Sequence, residues 1–233
     1  MCGRFMRSSP DELLAEWFGV NIEPSPWTMA NYNIAPQTIQ PIVRLHHGSR
    51  KRELAPARWG LIPSWAKDAG IGLKTFNARS EEIETKPAFR AALKTRRCLV
   101  PADGFYEWQR ITTKERQPFC IALKSRQPLA FAGLWECWHG SDGAALETFT
   151  ILTTAANQLM AAIHDRMPVI LAPGDYARWL TPTPDSPPPI ELLKPCDPAI
   201  LDAWTVSDAV GNVRNNSPEN TKPVAPPRHS LFD

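Results

Sequence analysis

The residue with the most distinctive chemistry in this chain is Cys2, which directly follows the initiating methionine. Removal of Met1 would leave Cys2 with a free α-amine beside its thiol, a combination that no internal cysteine has. Such a 1,2-aminothiol can hydrolyse an amide, with the thiol as nucleophile and the amine as base. It can also capture an aldehyde, because the amine forms a Schiff base and the thiol then closes a thiazolidine ring. Taken alone, the position of Cys2 favours an unreactive small residue at a frayed terminus, so a catalytic role for Cys2 needs support from other residues.

Two other segments carry polar groups that could assist such chemistry. Asn77 and Arg79 are two residues apart, so in an extended segment their side chains lie on the same face. Glu107 stands between Tyr106 and Trp108, and desolvation among aromatic rings is expected to raise the pKa of its carboxyl group, as a general acid–base requires. Each residue also has a purely structural interpretation: Asn77 could be a turn residue, Arg79 a solvated surface charge and Glu107 a carboxylate that faces outward from its strand.

His164 and Trp65 complete the set of candidate functional side chains. His164 has an unperturbed pKa of about 6.5, which suits a proton shuttle, and Asp165 and Arg166 are adjacent tuners. A histidine at a helix end can instead serve only as a capping cation. Trp65 follows a proline-containing loop and could stack a nucleic-acid base, worth roughly 1–3 kcal/mol per base. Core packing is nevertheless the default for most of the nine tryptophans.

Composition limits the classes of protein to which the chain can belong. Its 233 residues are 43% hydrophobic and 21% charged, which suits one large globular domain. The net charge of +2 is too small for a strongly basic nucleic-acid-binding domain, so any basic footprint must be local. Five cysteines without C-x-x-C spacing argue against a disulfide framework and against zinc, and we expect no metal or other cofactor. No apolar run approaches a membrane span, so we expect a cytosolic or nuclear protein in a reducing compartment.

Short strands dominate the predicted secondary structure. Ser9, Pro10 and Glu12 form a capping-box pattern for a helix that ends near Gly19. Strands outnumber helices, and few strand pairs are separated by a crossover helix, which favours an α+β domain with a curved or barrel-like, mostly antiparallel sheet and peripheral helices. Residues 181–189 are predicted to be a loop, and residues 217–233 a proline-rich tail that is disordered or wraps the surface. Strands are predicted at 39–45, 53–59, 98–108, 118–123, 129–136, 147–154 and 168–171, and further helices at 86–93, 157–163, 174–180 and 190–193.

Seven segments together resemble, in their order along the chain, the SOS-response-associated peptidase (SRAP) family. They are residues 1–5 (MCGRF), 32–36 (YNIAP), 59–63 (WGLIP), 77–81 (NARSE), 102–108 (ADGFYEW), 163–168 (IHDRMP) and 210–213 (VGNV). The resemblance runs from residue 2 to about residue 218, and the ordered set is far more specific than any single motif. It implies the SRAP fold over residues 1–216, followed by a tail at 217–233.

The resemblance also implies a function, namely a sensor and shield of abasic sites in single-stranded DNA. In this family the N-terminal cysteine, here Cys2, forms a stable thiazolidine crosslink with the ring-opened sugar. Asn77 would hold the Cys2 main chain and the sugar, Glu107 would position and deprotonate the amine, and His164 would assist ring opening and proton transfers, including slow reversal. No cofactor is implied, and we expect a monomer in the nucleus of a eukaryote or at the nucleoid in the cytoplasm of a bacterium.

DNA contacts are predicted less sharply by the resemblance. Arg4 and Arg79 would grip phosphates, and Trp65 would stack a base. A wedge that separates neighbouring bases would lie near Pro87 and Phe89. Asn33, in the second motif, is a further candidate DNA contact.

Three other functions are compatible with a reactive Cys2. The first is an N-terminal-nucleophile amidohydrolase, although the four-layer fold of that class fits poorly with short strands and frequent prolines. The second is a peptidase, as the family name suggests, with removal of Met1 by self-processing. The third is a non-covalent reader of modified cytosine, whose binding would survive replacement of Cys2 by alanine.

Overall fold

Two β-sheets form the framework of the computed structural model, which describes residues 2–21, 28–182 and 186–225. The strands within those ranges are β1 (Phe5–Arg7), β2 (Asn31–Ile34), β3 (Ile39–Leu45), β4 (Arg52–Trp59), β5 (Asn77–Arg79), β6 (Arg97–Ala102), β7 (Gly104–Arg110), β8 (Arg116–Leu123), β9 (Leu129–His139), β10 (Ala145–Ala155), β11 (Arg166–Pro168), β12 (Ile170–Leu171) and β13 (Leu201–Thr205). The α-helices are α1 (Asp11–Phe18), α2 (Arg90–Thr95), α3 (Gln158–Ala161) and α4 (Tyr176–Leu180). Several short 3-10 helices connect these elements.

The larger, eight-stranded sheet closes into a barrel. Its order is β11-β10-β4-β3-β6-β9-β12, with β5 paired to β10, and β10 also pairs with β9. The strands β10, β4, β3, β6 and β9 therefore form a closed ring that leaves no free edge among them. Among the strands of the described ranges, only the pairings of β10 with β4 and with β5 are parallel. This arrangement confirms the predicted α+β fold with a barrel-like, mostly antiparallel core.

The smaller, five-stranded sheet has the order β13-β8-β7-β1-β2 and packs against the barrel. Its strand β1 lies beside β7, with Phe5 opposite Phe105. The Phe5 ring meets Trp59 of the barrel edge-on, with 5.1 Å between ring centroids, and meets Phe131 at 5.8 Å. Each fully buried side chain of this kind contributes about 1.5–3 kcal/mol. The aromatic contacts therefore fix the N-terminal strand against the barrel.

A second apolar layer lies between the barrel and the helices. It includes Phe18 from α1, Leu93 from α2 and Trp179 from α4, all of them buried. Arg97 is buried beside this layer and donates hydrogen bonds to the carbonyl oxygens of Leu93 and Trp179, at 2.8 and 2.5 Å. One guanidinium group thus satisfies carbonyl groups at the C-terminal ends of two helices.

The start of the first helix differs from the prediction, whereas its end agrees. Pro10 is the N-cap of α1, and no side chain caps the helix. The Ser9 hydroxyl instead donates to Asp103 Oδ1 at 2.5 Å. The same carboxylate also accepts hydrogen bonds from the backbone N–H groups of Ser8 and Ser9, so it holds the segment before the helix. Gly19 ends the helix in the left-handed conformation, with φ of 63°, as predicted.

The predicted strand at 98–108 is two strands that belong to different sheets. They separate at Asp103, where β6 leaves the barrel and β7 enters the smaller sheet. A period-2 pattern continues across such a junction, so periodicity alone cannot reveal it. The predicted helix at 86–93 is also shifted, because α2 begins only at Arg90.

Residues beyond 217 pack on the smaller sheet for as far as the structure describes them. Pro218–Thr221 forms a 3-10 helix in which Asn220 is buried. Trp204 of β13 donates its indole N–H to the Thr221 carbonyl at 2.8 Å, and the Val224 N–H donates to Thr205 O at 3.0 Å. This part of the predicted tail wraps the surface, and residues 226–233 lie outside the described residues.

Candidate active site

The N-terminal segment is held at the junction of the two sheets. Cys2 precedes β1 and is completely buried in the apolar cluster between the barrel and the smaller sheet. Asn77, the first residue of β5, lies opposite Ile151 of β10 and donates its Nδ2–H to the Cys2 carbonyl oxygen at 2.7 Å. The structure therefore brings Asn77 to the Cys2 main chain, as the resemblance implied.

The other half of the Asn77 amide is buried but unpaired. Its Oδ1 atom has no hydrogen-bond partner among the residues that the structure describes. A buried acceptor without a partner costs about 1–3 kcal/mol. Water or a ligand hydroxyl at this point would satisfy it, so Asn77 can anchor Cys2 with one end and accept from a ligand with the other.

Glu107 lies in β7 opposite Phe119, and only 3% of it is exposed. It is therefore not the outward-facing carboxylate of the structural interpretation. Tyr106 and Trp108 pack on the opposite face of the sheet, because successive strand residues alternate. The desolvation comes from burial at the sheet junction, and it raises the pKa of the Glu107 carboxyl above its ordinary value. The predicted direction is right, although the neighbouring rings are not its cause.

His164 follows α3 and faces Glu107. Its Nε2 atom lies 4.0 Å from Glu107 Oε2, and its Nδ1 atom accepts the backbone N–H of Arg166 at 3.0 Å. Nε2 is therefore the ring nitrogen that faces Glu107. Asp165 Oδ1 also lies 2.8 Å from Nδ1. His164 and Glu107 together can hold and exchange protons.

A salt bridge that sequence reasoning missed joins the segments that carry Asn77 and His164. Arg166 donates to both carboxylate oxygens of Glu81, at 2.6 and 2.9 Å, and also to the Thr153 carbonyl at 2.7 Å. These hydrogen bonds hold the pKa of Glu81 below its ordinary value. Both residues stand inside motifs that the sequence analysis recognised, but only the folded chain brings them together.

Three of the predicted DNA contacts are exposed. Trp65 is 61% exposed in the loop after β4, and Arg79 is exposed at the end of β5, two residues beyond Asn77. Pro87 is exposed before α2. Each of these side chains is available to a ligand.

Two other predicted contacts are corrected by the structure. Phe89 is 8% exposed and packs in the apolar layer between the barrel and the helices, so it cannot be inserted between bases in this conformation. Asn33 is 3% exposed and donates to the carbonyl oxygens of Val210, Asn212 and Asn215, at 3.2, 3.0 and 2.9 Å. Its amide group holds the loop at 210–215.

Arg4 is held by the same loop. Its Nη1 atom donates to Asn33 Oδ1 at 2.7 Å and to the Val210 carbonyl at 2.8 Å, and its guanidinium carbon lies 5.8 Å from the centre of the Trp108 ring. Arg4 is partly buried and thus has a structural role as well as a positive charge near the N-terminus.

The described ranges contain no group of three or more His, Cys, Asp or Glu side chains that could hold a metal ion. They also contain no helix that is long and apolar enough to cross a membrane.

Comparison with known proteins identifies relatives along nearly the whole chain. The abasic site processing protein YoqW of Bacillus subtilis is 44% identical over 221 residues, which cover 94% of this chain and 98% of that protein. The abasic site processing protein HMCES of Xenopus tropicalis is 38% identical over 223 residues, which cover 81% of this chain and 64% of that protein. A crystal structure of a Bacteroides thetaiotaomicron protein superimposes with a TM-score of 0.84 at 28% identity, covering 96% of this chain and all of that one.

A family model also matches the chain over the residues that contain the sequence motifs. The model described as SOS response associated peptidase (SRAP) matches residues 1–213, which include every motif that the sequence analysis quoted. Since the match spans most of the chain and the fold agrees with a solved structure, this protein belongs to the SRAP family, as its motifs predicted.

Proposed function

We propose that this protein captures abasic sites in single-stranded DNA as a covalent thiazolidine on Cys2, after removal of Met1. The observation that carries the proposal is the 2.7 Å hydrogen bond from Asn77 to the Cys2 carbonyl, because it holds Cys2 where the charge of Glu107 acts on its thiol, and His164 lies 4.0 Å from Glu107. The names of the relatives, which describe abasic site processing, support DNA with abasic sites as the substrate.

The reaction requires no oxidant, reductant or metal. The ring-opened sugar of an abasic site carries an aldehyde, and the Cys2 amine attacks its carbonyl carbon to give a carbinolamine. Loss of water from the carbinolamine produces the imine. The Cys2 sulfur then adds to the imine carbon while the thiol proton passes to nitrogen, and this step closes the five-membered ring. One water molecule leaves overall.

Glu107 is suited to manage the protons of the amine. An α-amino group has a pKa of about 7.7–8.0 and is partly neutral at physiological pH, so a nearby base has a modest task. Burial raises the pKa of Glu107 toward the working pH, which improves its ability both to accept and to return a proton. In the proposed reaction Glu107 accepts a proton from the amine and returns one to the departing water.

The state of the Cys2 thiol supports attack by the amine first. Complete burial raises the pKa of this thiol far above its ordinary value, and the negative charge of Glu107 adds to the effect. The resting group is therefore a neutral thiol rather than a thiolate. An amidohydrolase needs the thiol as its first nucleophile, whereas thiazolidine formation needs it only after the imine exists.

His164 and Asn77 supply the remaining polar contacts in this proposal. The His164 ring directs its Nε2 atom into the site, where the protonated ring can give a proton to the sugar ring oxygen while the C1 hydroxyl loses its own proton and the ring opens to the aldehyde. The unpaired Asn77 Oδ1 can accept a hydrogen bond from a sugar hydroxyl. Both contacts require the sugar to lie between β5 and β7, next to Cys2.

The exposed side chains of Trp65 and Arg79 suit a single strand better than a duplex. Trp65 offers a flat ring on which any base can stack, and Arg79 offers a cation to the backbone. An abasic site presents no base to read, so recognition depends on phosphate contacts and on bending of the strand. We expect a monomeric protein to bind one strand and its affinity to fall with salt.

The experiment that tests the function uses the Met1-processed protein and a single strand with one abasic site. An unmodified strand and the Cys2→Ala variant serve as controls. The proposal predicts a product that survives denaturing electrophoresis, with the mass of one protein plus one DNA strand less one water. Absence of this product when mass spectrometry confirms loss of Met1 would refute covalent capture, and retained binding by Cys2→Ala would then favour a non-covalent reader.

A further inference from the structure

The exposed Trp65 ring stands on a turn that is tied to the barrel at both ends. The turn spans residues 63–66 and is closed by the Ala66 N–H, which donates to the Pro63 carbonyl at 2.9 Å. Just before it, the Ile62 N–H donates to Thr148 Oγ1 at 2.9 Å. Thr148 is completely buried in β10, so this end of the turn is fixed to a strand of the closed barrel.

Trp138 holds the other end of the turn. It lies near the end of β9, opposite Leu146 of β10, and its indole Nε1–H donates to the Ala66 carbonyl at 2.7 Å. The Trp138 ring is only partly exposed. Side chains of the neighbouring strands β9 and β10 thus form hydrogen bonds with the backbone on either side of Trp65. The Trp65 side chain itself is 61% exposed.

We propose that Trp138 and Thr148 are positioning residues for DNA binding and that they act through Trp65. A stacking surface on a loose turn would lose conformational freedom whenever a base bound to it, and this loss would weaken binding. The two hydrogen bonds remove the backbone part of that freedom in advance, so only the Trp65 side chain has to become ordered when the strand binds. This inference rests on the proposed single-strand binding and adds residues that do not themselves touch the DNA.

A double-mutant cycle tests the inference with an unmodified, fluorescently labelled single strand, which cannot be crosslinked. Fluorescence anisotropy measures Kd for wild type, Trp65→Ala, Trp138→Phe and the double variant. Trp65→Ala should weaken binding by about five- to 150-fold, which corresponds to the roughly 1–3 kcal/mol of one stacked base. Trp138→Phe keeps an aromatic ring but loses the N–H donor, and should weaken binding by about two- to tenfold. In the Trp65→Ala background, Trp138→Phe should have no further effect.

The matched control is Trp204→Phe. Trp204 is also a partly exposed indole that donates to a backbone carbonyl, that of Thr221 at 2.8 Å, but it lies in β13 of the smaller sheet. Its replacement should leave Kd unchanged. Thermal unfolding shows whether each variant is folded at the assay temperature. If Trp138→Phe is not, the isosteric Thr148→Val variant takes its place in the cycle with the same criterion.

Two results would overturn the inference. One is an equal loss of affinity from Trp138→Phe in the presence and absence of Trp65, since that would show a general structural effect. The other is a wild-type Kd for either Trp138→Phe or Trp65→Ala. Neither result affects the capture reaction, because formation of the Cys2-dependent adduct on an abasic strand is measured separately with the wild-type protein.

Discussion

The hydrogen bond between Asn77 and the Cys2 carbonyl gives the sharpest quantitative prediction. Asn77→Ala leaves the buried Cys2 carbonyl oxygen without its donor, at a cost of about 1–3 kcal/mol. If about 2–3 kcal/mol of this cost adds to the activation free energy of crosslinking, the crosslinking rate falls about 30- to 150-fold. A misplaced N-terminal amine is sufficient to cause a loss of this size.

Single-turnover crosslinking of an abasic strand, at saturating protein, measures that rate directly. Gln117→Ala is the control, because the buried Gln117 amide also donates to a backbone carbonyl, that of Val206 at 3.1 Å, but lies outside the site. Urea unfolding should show that both variants lose a similar amount of stability. The reasoning is refuted if folded Asn77→Ala reacts at the wild-type rate, or if Gln117→Ala slows the reaction equally.

Three further predictions concern Glu107, the segment before α2, and the N-terminus. Glu107→Gln should slow crosslinking about 10²- to 10⁴-fold. Lowering the pH protonates Glu107 and should slow the wild-type reaction. Because burial raises the pKa of Glu107, this fall should begin at a pH above the ordinary glutamate pKa of about 4.3. A pH–rate profile measures this fall, which the Glu107→Gln variant should lack. Phe89→Ala should lower the free energy of unfolding by about 3–5 kcal/mol, because the ring is buried. Pro87→Ala should change it by less than about 0.5 kcal/mol but should weaken DNA binding. Equal unfolding midpoints for the two variants would contradict this prediction. One extra residue before Cys2 should abolish the adduct as completely as Cys2→Ala, and a normal yield on denaturing gels would exclude amine chemistry.

Local sequence predicted most of the elements but few of their junctions. Runs of β-formers located nearly every long strand, and Gly19 marked the end of α1 because only a left-handed residue closes that turn easily. The capping box at Ser9 was wrong because Asp103, which is distant in sequence, competes for the Ser9 hydroxyl and both nearby N–H groups. The division of residues 98–108 between two sheets likewise depends on partners elsewhere in the chain.

The candidate site was predictable in its residue types and less so in its surroundings. The motifs indicated Asn77, Glu107 and His164; in the fold Asn77 contacts Cys2, the charge of Glu107 acts on the Cys2 thiol, and His164 faces Glu107. The contacts of Glu81 with Arg166 join positions 85 residues apart, and no local pattern reports such a pairing. Asn33 was assigned to DNA by its motif position and Phe89 by its place near the expected wedge, whereas tertiary packing uses both of them inside the protein.

The burial of Cys2 has a consequence for the order of events during biosynthesis. Its hydrogen bond to Asn77 spans 75 residues, and the pairing of Phe5 with Phe105 spans 100, so the N-terminal strand docks only after much of the domain has been made. Until then the segment that carries Cys2 is undocked, and the proposed reaction requires Met1 to be removed from it. We therefore expect Met1 to be removed fastest from the nascent chain, and slow docking of β1 to raise the fraction of molecules that carry a free Cys2 amine.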